Sequence, residues 1–187
     1  MTENNPPPSG LDTMHKVICE LKNYHLWVFS RIKPFLQAPI LEIGPGWGQL
    51  SAFLIREKYE YYAIDNDFNV IKRRKSGFAK RNHRFINDDI FSPSFINNLS
   101  IKPNTRILSN VLEHIETDAH FLTKLHNLFP NSSIVIQVPA MPFIYGNMDK
   151  QAGHFRRYSM HSIRKVVETA NYRISDIFYF NAIGAIT

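Results

Sequence analysis

A glycine-rich turn is the first place in the sequence where residue types and spacing indicate chemistry. The run Glu42-Ile43-Gly44-Pro45-Gly46-Trp47-Gly48 follows a short apolar segment. Its alternating glycines let the backbone turn tightly and approach a ligand without a β-carbon in the way. Free N–H groups at the start of the next helix favour a negatively charged or polar ligand group. The dinucleotide-binding spacing is absent, because Gln49 stands at its third glycine position. The alternative is a tight strand-to-helix turn that binds no ligand.

Carboxylates occur at two later points where apolar runs end. Asp65 closes the aromatic run 59–64, and a carboxylate there can accept both hydroxyls of a ribose. Asp65 also precedes a helical stretch, so helix capping is the alternative role. Asp88 and Asp89 follow the next apolar run, where a plain surface turn is the alternative.

Strand-like and helix-like segments alternate along the chain and must position these side chains. The predicted strands are 39–43, 59–64, 84–86, 105–109, 133–138 and 172–180. The predicted helices are 11–35, 49–58, 67–80, a short one from 93, 117–129 and 159–170. This order predicts an α/β fold with a parallel sheet covered on both faces. Ligands of such sheets bind outside the carboxyl ends of the strands.

Length and composition limit the classes of protein that need to be considered. The chain has 187 residues, 44% of them hydrophobic and 20% charged, which excludes wholesale disorder and predicts one domain. Residues 1–10 are polar and proline-rich and are predicted to be disordered, and residues 11–187 are predicted to form the domain. Cys19 is the only cysteine, so no intrachain disulfide can form and a cytoplasmic location is predicted. No stretch is apolar enough to span a bilayer.

The Glu42–Gly48 run resembles the first motif of class I S-adenosylmethionine-dependent methyltransferases. The resemblance implies a Rossmann-like three-layer sandwich with a mostly parallel sheet, and S-adenosyl-L-methionine as the cofactor. It implies that Gly44, Gly46 and Gly48 wrap the methionine part of that cofactor, while Glu42 orients the loop near its amino group. It also implies that Asp65 binds the ribose.

The resemblance extends to residues after the third and fourth predicted strands. An Asp-apolar pair is implied near the adenine, and Asp89-Ile90 fits it best, with Asp88 as the fallback. The run from Ser109 to Ile115 resembles the "LEHI" signature of small-molecule members. Asn110 and Val111 are then expected to flank the methionine end of the cofactor.

Candidate catalytic residues follow from the same signature and from the long insertion at 141–158, called here the insertion segment. His114 is expected to face the reacting centre, or else to bind local backbone groups. His154 is a candidate general base, and Tyr158 with Arg156 and Arg157 could hold an anionic or hydroxylated substrate. The alternative for the two arginines is pairing with carboxylates that pins the segment. No metal site is predicted, because the three histidines that recur every six residues point in different directions on a helix.

These features predict methyl transfer to a small-molecule acceptor. Methylation of nucleic-acid amino groups is disfavoured, because no Asn/Asp-Pro-Pro-aromatic segment follows the fourth strand. Two alternatives stay open: a weak or inactive cofactor-binding module, and an RNA-binding or RNA-modifying protein that uses the basic run between Lys72 and Arg84.

The sequence also predicts an incomplete sheet. Members of the family continue into a seventh, antiparallel strand, for which no residues follow the sixth predicted strand here. The fifth strand is then expected to form an exposed sheet edge through which the protein forms a homo-oligomer, or else to pair directly with the sixth strand.

Overall fold

Five parallel strands form one sheet with helices on both faces. A computed structural model of the protein describes residues 22–77, 83–98 and 100–180, with side chains described for 23–72, 84–98 and 100–180. The strands are β1 (Ile40–Ile43), β2 (Tyr61–Asp65), β3 (His83–Asn87), β4 (Thr105–Ser109) and β5 (Ser133–Gln137). The sheet order is β3-β2-β1-β4-β5. The α/β, Rossmann-like prediction is confirmed.

The helices fall between the strands, as the alternating pattern requires. They are α1 (Lys22–Ile32), α2 (Gln49–Arg56), α3 (Phe68–Gly77), α4 (Pro93–Asn97), α5 (Asp118–Leu128), α6 (Asn147–Gln151) and α7 (Met160–Thr169). Short 3₁₀ turns occur at Lys33–Phe35, Leu112–His114 and Pro142–Ile144. The predicted starts of α4 and α7 are confirmed, because the Ser92 and Ser159 hydroxyls accept hydrogen bonds from the Phe95 and Ser162 amides.

Two apolar cores lie on opposite faces of the sheet, because successive strand residues point to opposite sides. Leu41 and Leu108 face one core, which α5 and α7 cover with residues that include Leu122 and Val167. The other core holds Ile40, Tyr61 and Ile107 from the strands, Phe29 from α1, Leu50 and Leu54 from α2 and Ile71 from α3. Together the two cores make the three-layer sandwich.

The predicted sixth strand at 172–180 is wrong. These residues are not in the sheet, and their aromatic side chains pack on helices instead. The Phe180 ring contacts Trp27 of α1 edge to face, and the Arg31 guanidinium lies over the Phe178 ring. The Tyr179 hydroxyl accepts a hydrogen bond from the Met160 amide at the start of α7. Alternating aromatics resemble a half-buried strand, but here helix surfaces supply the apolar partners.

Other expectations fall partly outside the described residues. The predicted disorder of residues 1–10 and the first part of the 11–35 helix lie there, as do most side chains of the basic run 72–84. Within the described residues β5 pairs with β4 alone, so self-association through this edge stays a prediction. No helix in the described ranges is long and apolar enough to cross a membrane.

A buried arginine joins β4 to the elements that follow it. Arg106 is fully buried, and its guanidinium donates to the carbonyls of Leu125 and Ser132 and to the Tyr172 hydroxyl. Burial lowers the pKa of Arg106. Since these acceptors are uncharged, hydrogen bonds rather than an ion pair hold the guanidinium in the core.

Arg106→Ala is expected to lower the free energy of unfolding by about 3 kcal/mol or more, because it leaves a cavity and removes buried donors. Urea unfolding followed by circular dichroism measures the change. Arg173→Ala is the matched control, because this arginine is exposed next to Tyr172, and a change within about 0.5 kcal/mol is expected. Equal effects of the two variants would contradict the role assigned to Arg106.

Candidate active site

The glycine-rich turn joins β1 to α2 at the carboxyl edge of the sheet. Gly44, Gly46 and Gly48 all adopt positive φ angles, of 68°, 49° and 70°. A β-carbon on Gly44 would lie 2.7 Å from the Val111 side chain, so only glycine fits there without displacement. A β-carbon on Gly46 would meet no atom within 4 Å. At Gly44 the turn therefore packs closely against the segment that follows β4, whereas at Gly46 it borders open space.

Glu42 lies beneath this turn and is buried. Its Oε2 accepts hydrogen bonds from the Ser51 hydroxyl, at 2.7 Å, and from the Tyr61 hydroxyl. Ser51 belongs to α2 and Tyr61 to β2, so this carboxylate of β1 connects the strand to both of the elements that follow the turn. Neither partner was singled out from the sequence, because a serine in a helix and a tyrosine in a strand carry no local signal of this contact.

Asp65 stands at the end of β2, beside the glycine turn. The side chain is half-buried, and its Oδ1 accepts a hydrogen bond from the Asp67 amide at 2.9 Å. Burial raises the pKa of Asp65, while hydrogen bonds from the Asp67 and Gly46 amides act in the opposite direction. The alternative role as a helix cap falls to Asp67, whose Oδ1 accepts a hydrogen bond from the Asn69 amide of α3, whereas the Asp65 carboxylate faces the glycine turn.

The acidic pair after β3 divides into two roles. Asp88 accepts hydrogen bonds from the Ser94 hydroxyl, at 2.6 Å, and from the Asp89 amide, and Ser94 lowers its pKa. Asp89 is exposed and accepts a hydrogen bond from the Phe91 amide. Ile90 is buried in the core. Asp88 is thus occupied by the start of α4, and Asp89 is the more accessible of the two carboxylates.

The chain after β4 turns sharply toward the glycine loop. Asn110 is exposed and has a left-handed φ of 53°, and its amide donates to the Gln137 carbonyl of β5. Val111 packs beside Gly44. The 3₁₀ turn Leu112–His114 follows directly, so the histidine of this turn lies three residues beyond the loop contact.

His114 and His154 meet at this edge, although they come from different parts of the chain. Their rings are in edge-to-face contact, with centroids 4.8 Å apart. The Nδ1 atom of His114 lies 3.3 Å from the Gly153 carbonyl. Burial and the neighbouring His154 lower the pKa of His114. The structure therefore brings together the two histidines that the sequence suggested separately.

A carboxylate holds His154 in place. Asp149 is 2% exposed and its Oδ1 lies 2.9 Å from the His154 Nδ1 and 2.8 Å from the Arg157 Nε. Burial alone would raise the pKa of Asp149, but hydrogen bonds from Gly146, Arg157 and His154 together lower it. Asp149 was missed from the sequence. Its position five residues before His154, in the same segment, was the available signal.

Tyr158 and Arg156 bind a second buried carboxylate, Asp118 of α5. The Tyr158 hydroxyl donates to Asp118 Oδ2 at 2.9 Å, and the Arg156 Nη1 lies 2.6 Å from the same atom. Tyr158 is 2% exposed, and burial and Asp118 raise its pKa. Both arginines thus pair with carboxylates that pin the insertion segment, which was one of the two alternatives. The Tyr158 hydroxyl points into the protein rather than toward the edge of the sheet.

Glu113 is the feature of this site that sequence reasoning passed over. It is 1% exposed, and within the described residues neither of its carboxylate oxygens has a hydrogen-bond partner. Burial raises the pKa of Glu113 to about 7, and the charge of Asp149 acts in the same direction. The backbone carbonyl of Glu113 accepts a hydrogen bond from the Phe155 amide, which ties the insertion segment to the turn.

Comparison with known proteins assigns a family to this arrangement. A family model described as methyltransferase domain matches residues 14–176. The chain belongs to the class I S-adenosylmethionine-dependent methyltransferase family. Its cofactor is accordingly S-adenosylmethionine.

Two solved structures share the fold at low sequence identity. A methyltransferase from Archaeoglobus fulgidus is 19% identical, with a TM-score of 0.58, over 80% of this chain and 69% of its own. Magnesium protoporphyrin IX methyltransferase from Synechocystis PCC 6803, with bound S-adenosylhomocysteine, is 16% identical, with a TM-score of 0.62, over 92% of this chain and 81% of its own.

A curated relative extends the range of substrates within the family. Ribosomal RNA small subunit methyltransferase A of Mycoplasmopsis pulmonis is 25% identical over 99 residues. The match covers 52% of this chain, and the chain spans only 38% of the length of that relative. Methyltransferases of small molecules and of RNA thus both occur among the similar proteins.

The residues at the carboxyl edge fit the family cofactor. Open space borders the Gly46 backbone, where a side chain would otherwise project. The half-buried Asp65 carboxylate lies beside the turn and could accept hydrogen bonds from vicinal hydroxyls. A polar ligand with a ribose matches both features.

Asp65→Ala is expected to weaken binding of S-adenosylhomocysteine about 10-fold or more, because hydrogen bonds to a charged group contribute about 1.5–3 kcal/mol each. Isothermal titration calorimetry measures the affinity. Asp67→Ala is the matched control, since this neighbouring carboxylate accepts a hydrogen bond from the Asn69 amide of α3. If both variants bind like the unaltered protein, Asp65 does not contact the ribose.

Proposed function

We propose that the protein transfers a methyl group from S-adenosylmethionine to a small-molecule acceptor. The observation that carries the proposal is the pairing, at one edge of the sheet, of an open glycine turn with two histidines in contact. The first supplies space and polar groups for the cofactor, and the second supplies groups for an acceptor. The cofactor contacts are assigned to Glu42, Gly44, Gly46, Gly48, Asp65, Asp89, Ile90, Asn110 and Val111.

S-adenosylmethionine supplies a methyl group already activated on a sulfonium. The protein must therefore mainly hold the acceptor in line with the breaking bond, and such positioning can contribute about 7–11 kcal/mol. Asn110 and Val111 lie between β4 and His114, and Val111 packs against Gly44 of the glycine turn. An acceptor at the histidine pair therefore lies next to the cofactor loop. The distance between the two parts of the site is then set by the short turn after β4.

His114 and His154 are assigned to contact the acceptor and to take its proton. The Asp149 carboxylate accepts the Nδ1 proton of His154, which leaves the lone pair on Nε2 for the acceptor. The lowered pKa of His114 keeps that ring neutral near pH 7. Tyr158, in contrast, is assigned a positioning role, because its hydroxyl already binds Asp118.

The insertion segment supports an acceptor with an apolar body. Phe143, Met148 and Phe155 are 82%, 61% and 51% exposed. Four polar anchors hold the segment that presents them: the two carboxylates Asp118 and Asp149, and the two arginines that follow Phe155. An anchored segment with exposed apolar side chains suits a hydroxylated molecule with an aromatic or aliphatic body.

RNA is the second candidate acceptor, favoured by the likeness to a ribosomal RNA methyltransferase. The likeness covers about half of this chain. The sequence after β4, Ser109-Asn110-Val111-Leu112, lacks the Asn/Asp-Pro-Pro-aromatic segment of amino-methylating nucleic-acid enzymes. Small molecules are therefore the preferred class. The cytoplasmic location remains a proposal based on the single cysteine.

Gly46→Leu is expected to weaken S-adenosylhomocysteine binding at least about 100-fold, because the side chain would fill the space beside the turn. Gly46→Ala is the matched control. Both variants adopt the same left-handed backbone, at a cost of about 1–2 kcal/mol, but only leucine fills the space. Calorimetric titration of both, with melting temperatures, separates obstruction from unfolding. Binding by Gly46→Leu as tight as by Gly46→Ala would refute the assigned loop contact.

A release assay for S-adenosylhomocysteine tests the acceptor class. A panel of hydroxylated aromatic and aliphatic compounds is expected to stimulate release, and total RNA is expected to have no effect. His154→Ala should lower the stimulated rate about 10²–10⁴-fold, the usual contribution of general acid–base catalysis. Stimulation by RNA alone would favour the second candidate instead.

A further inference from the structure

Three side chains with metal-binding chemistry converge at the edge of the sheet beside the insertion segment. They are Glu113, His114 and His154, and their potential ligand atoms all lie within 4.8 Å of one another. Two come from the 3₁₀ turn after β4 and the third from the loop that follows α6. No metal site is predicted from the sequence, because its regularly spaced histidines point in different directions on a helix, and of this cluster only His114 is among them.

The buried carboxylate of Glu113 is a second, independent indication that the cluster binds a cation. Its carboxylate is 99% hidden from solvent, and within the part of the chain that the structure describes both oxygens lack a hydrogen-bond partner. Buried carboxylates are ordinarily paired, hydrogen-bonded or bound to a cation. One ligand atom of this carboxylate lies within 4.8 Å of a nitrogen of each of the two imidazoles. A cation at this point would satisfy the carboxylate that the protein leaves unpaired.

The two histidines have the outer contacts that metal-binding imidazoles use. Nδ1 of His154 lies 2.9 Å from the Asp149 carboxylate, and Nδ1 of His114 lies 3.3 Å from the Gly153 carbonyl. Acceptors at Nδ1 fix the tautomer in which Nε2 carries the lone pair, and such carboxylate or carbonyl partners are typical of metal-binding histidines. Asp149 is itself fixed by Arg157 and the Gly146 amide.

We propose that Glu113, His114 and His154 bind a divalent transition-metal cation. Two imidazole nitrogens and one carboxylate oxygen suit Zn²⁺, Mn²⁺ or Fe²⁺ better than Mg²⁺ or Ca²⁺, which prefer oxygen alone. Ligand atoms around a tetrahedral cation are about 3.4 Å apart, given metal–ligand distances near 2 Å. From separations of up to 4.8 Å, the ligand atoms need to approach one another by up to about 1.4 Å, which rotations of the side chains allow.

The proposed site leaves coordination positions open to solvent. Glu113 lies on its buried side and His114 on its exposed side. Open positions take water or another oxygen ligand, and a bound cation lowers the pKa of a coordinated hydroxyl. With the cation bound, the Nε2 lone pairs of the two histidines serve as ligands, so the cation in place of the histidines activates a hydroxylated acceptor, whose proton passes to solvent. This role rests on the proposed function, whereas metal binding itself does not.

Direct titration of the metal tests the site without any assumption about activity. Untagged protein is treated with EDTA, exchanged into chelator-free buffer and titrated with Zn²⁺ and with Mn²⁺ by calorimetry. Electron paramagnetic resonance of the Mn²⁺ that stays free in solution gives an independent count of the ions bound per chain. We expect one cation per chain, and much weaker binding of Mg²⁺ and Ca²⁺. Absence of a one-to-one complex with either transition metal would overturn the proposal.

Substitutions identify the ligands. Glu113→Gln, which keeps the side-chain shape, and His154→Ala are each expected to weaken binding at least about 100-fold, and Asp149→Asn about 10-fold or more through His154. His120→Ala is the matched control, because this histidine is exposed on α5 outside the cluster, and unchanged affinity is expected. If the Glu113→Gln variant binds the metal as tightly as the His120→Ala variant does, Glu113 is not a ligand.

Two further measurements keep the outcomes distinct. Melting temperatures without metal show whether each variant is folded. Added metal should raise the thermal stability of the unaltered protein and of His120→Ala, and have much less effect on Glu113→Gln and His154→Ala. S-adenosylhomocysteine titrations on the same samples report the cofactor half separately. A ligand variant that loses metal binding but still binds S-adenosylhomocysteine shows that the cluster binds the metal separately from the cofactor. If only the proposed function is wrong, the unaltered protein still binds the metal.

Discussion

Parallel pairing in register is the constraint on which the rest of this structure depends. β1, β2, β3 and β4 all run in one direction, so their carboxyl ends meet at the same edge. The glycine turn, Asp65, Asp89 and the His114 turn follow these four strand ends in order. Because strand pairing is sustained by two buried cores, the positions of these loops are set by packing far from any ligand.

Buried carboxylates position the insertion segment at this edge. Asp149 binds within the segment itself, to His154 and Arg157, and Asp118 binds across to Arg156 and Tyr158 from α5. Ion pairs in such surroundings are costly to desolvate, and they persist where additional hydrogen bonds satisfy them. The segment therefore has a defined conformation, although much of its backbone is irregular. Glu113 differs from both carboxylates, because within the described residues it is buried without such a partner.

The central strands and the loops that follow them were predictable because local patterns agree with tertiary burial there. β1 and β4 are short segments bounded by turn residues, each with adjacent apolar residues at its centre or start, and both are largely buried. The segment 172–180 has the apolar and aromatic pattern of a strand but packs on α1 and α7. A periodic apolar pattern indicates that a segment is buried, but it does not indicate which element covers the segment. The choice between substrate binding and pairing for Arg156 and Arg157 likewise needed their partners, which lie on α5 and α6.

The sequence by itself determined the order of elements, the glycine turn and the acidic and histidine positions after the strands, because each is encoded by neighbours along the chain. Tertiary structure alone decided which of these side chains meet. Glu42 reaches Ser51 and Tyr61, and the ligand atoms of Glu113 and His154 come within 4.8 Å, through contacts between different elements of the fold. Such contacts arise from the packing of helices and loops onto a sheet, and no local spacing records them.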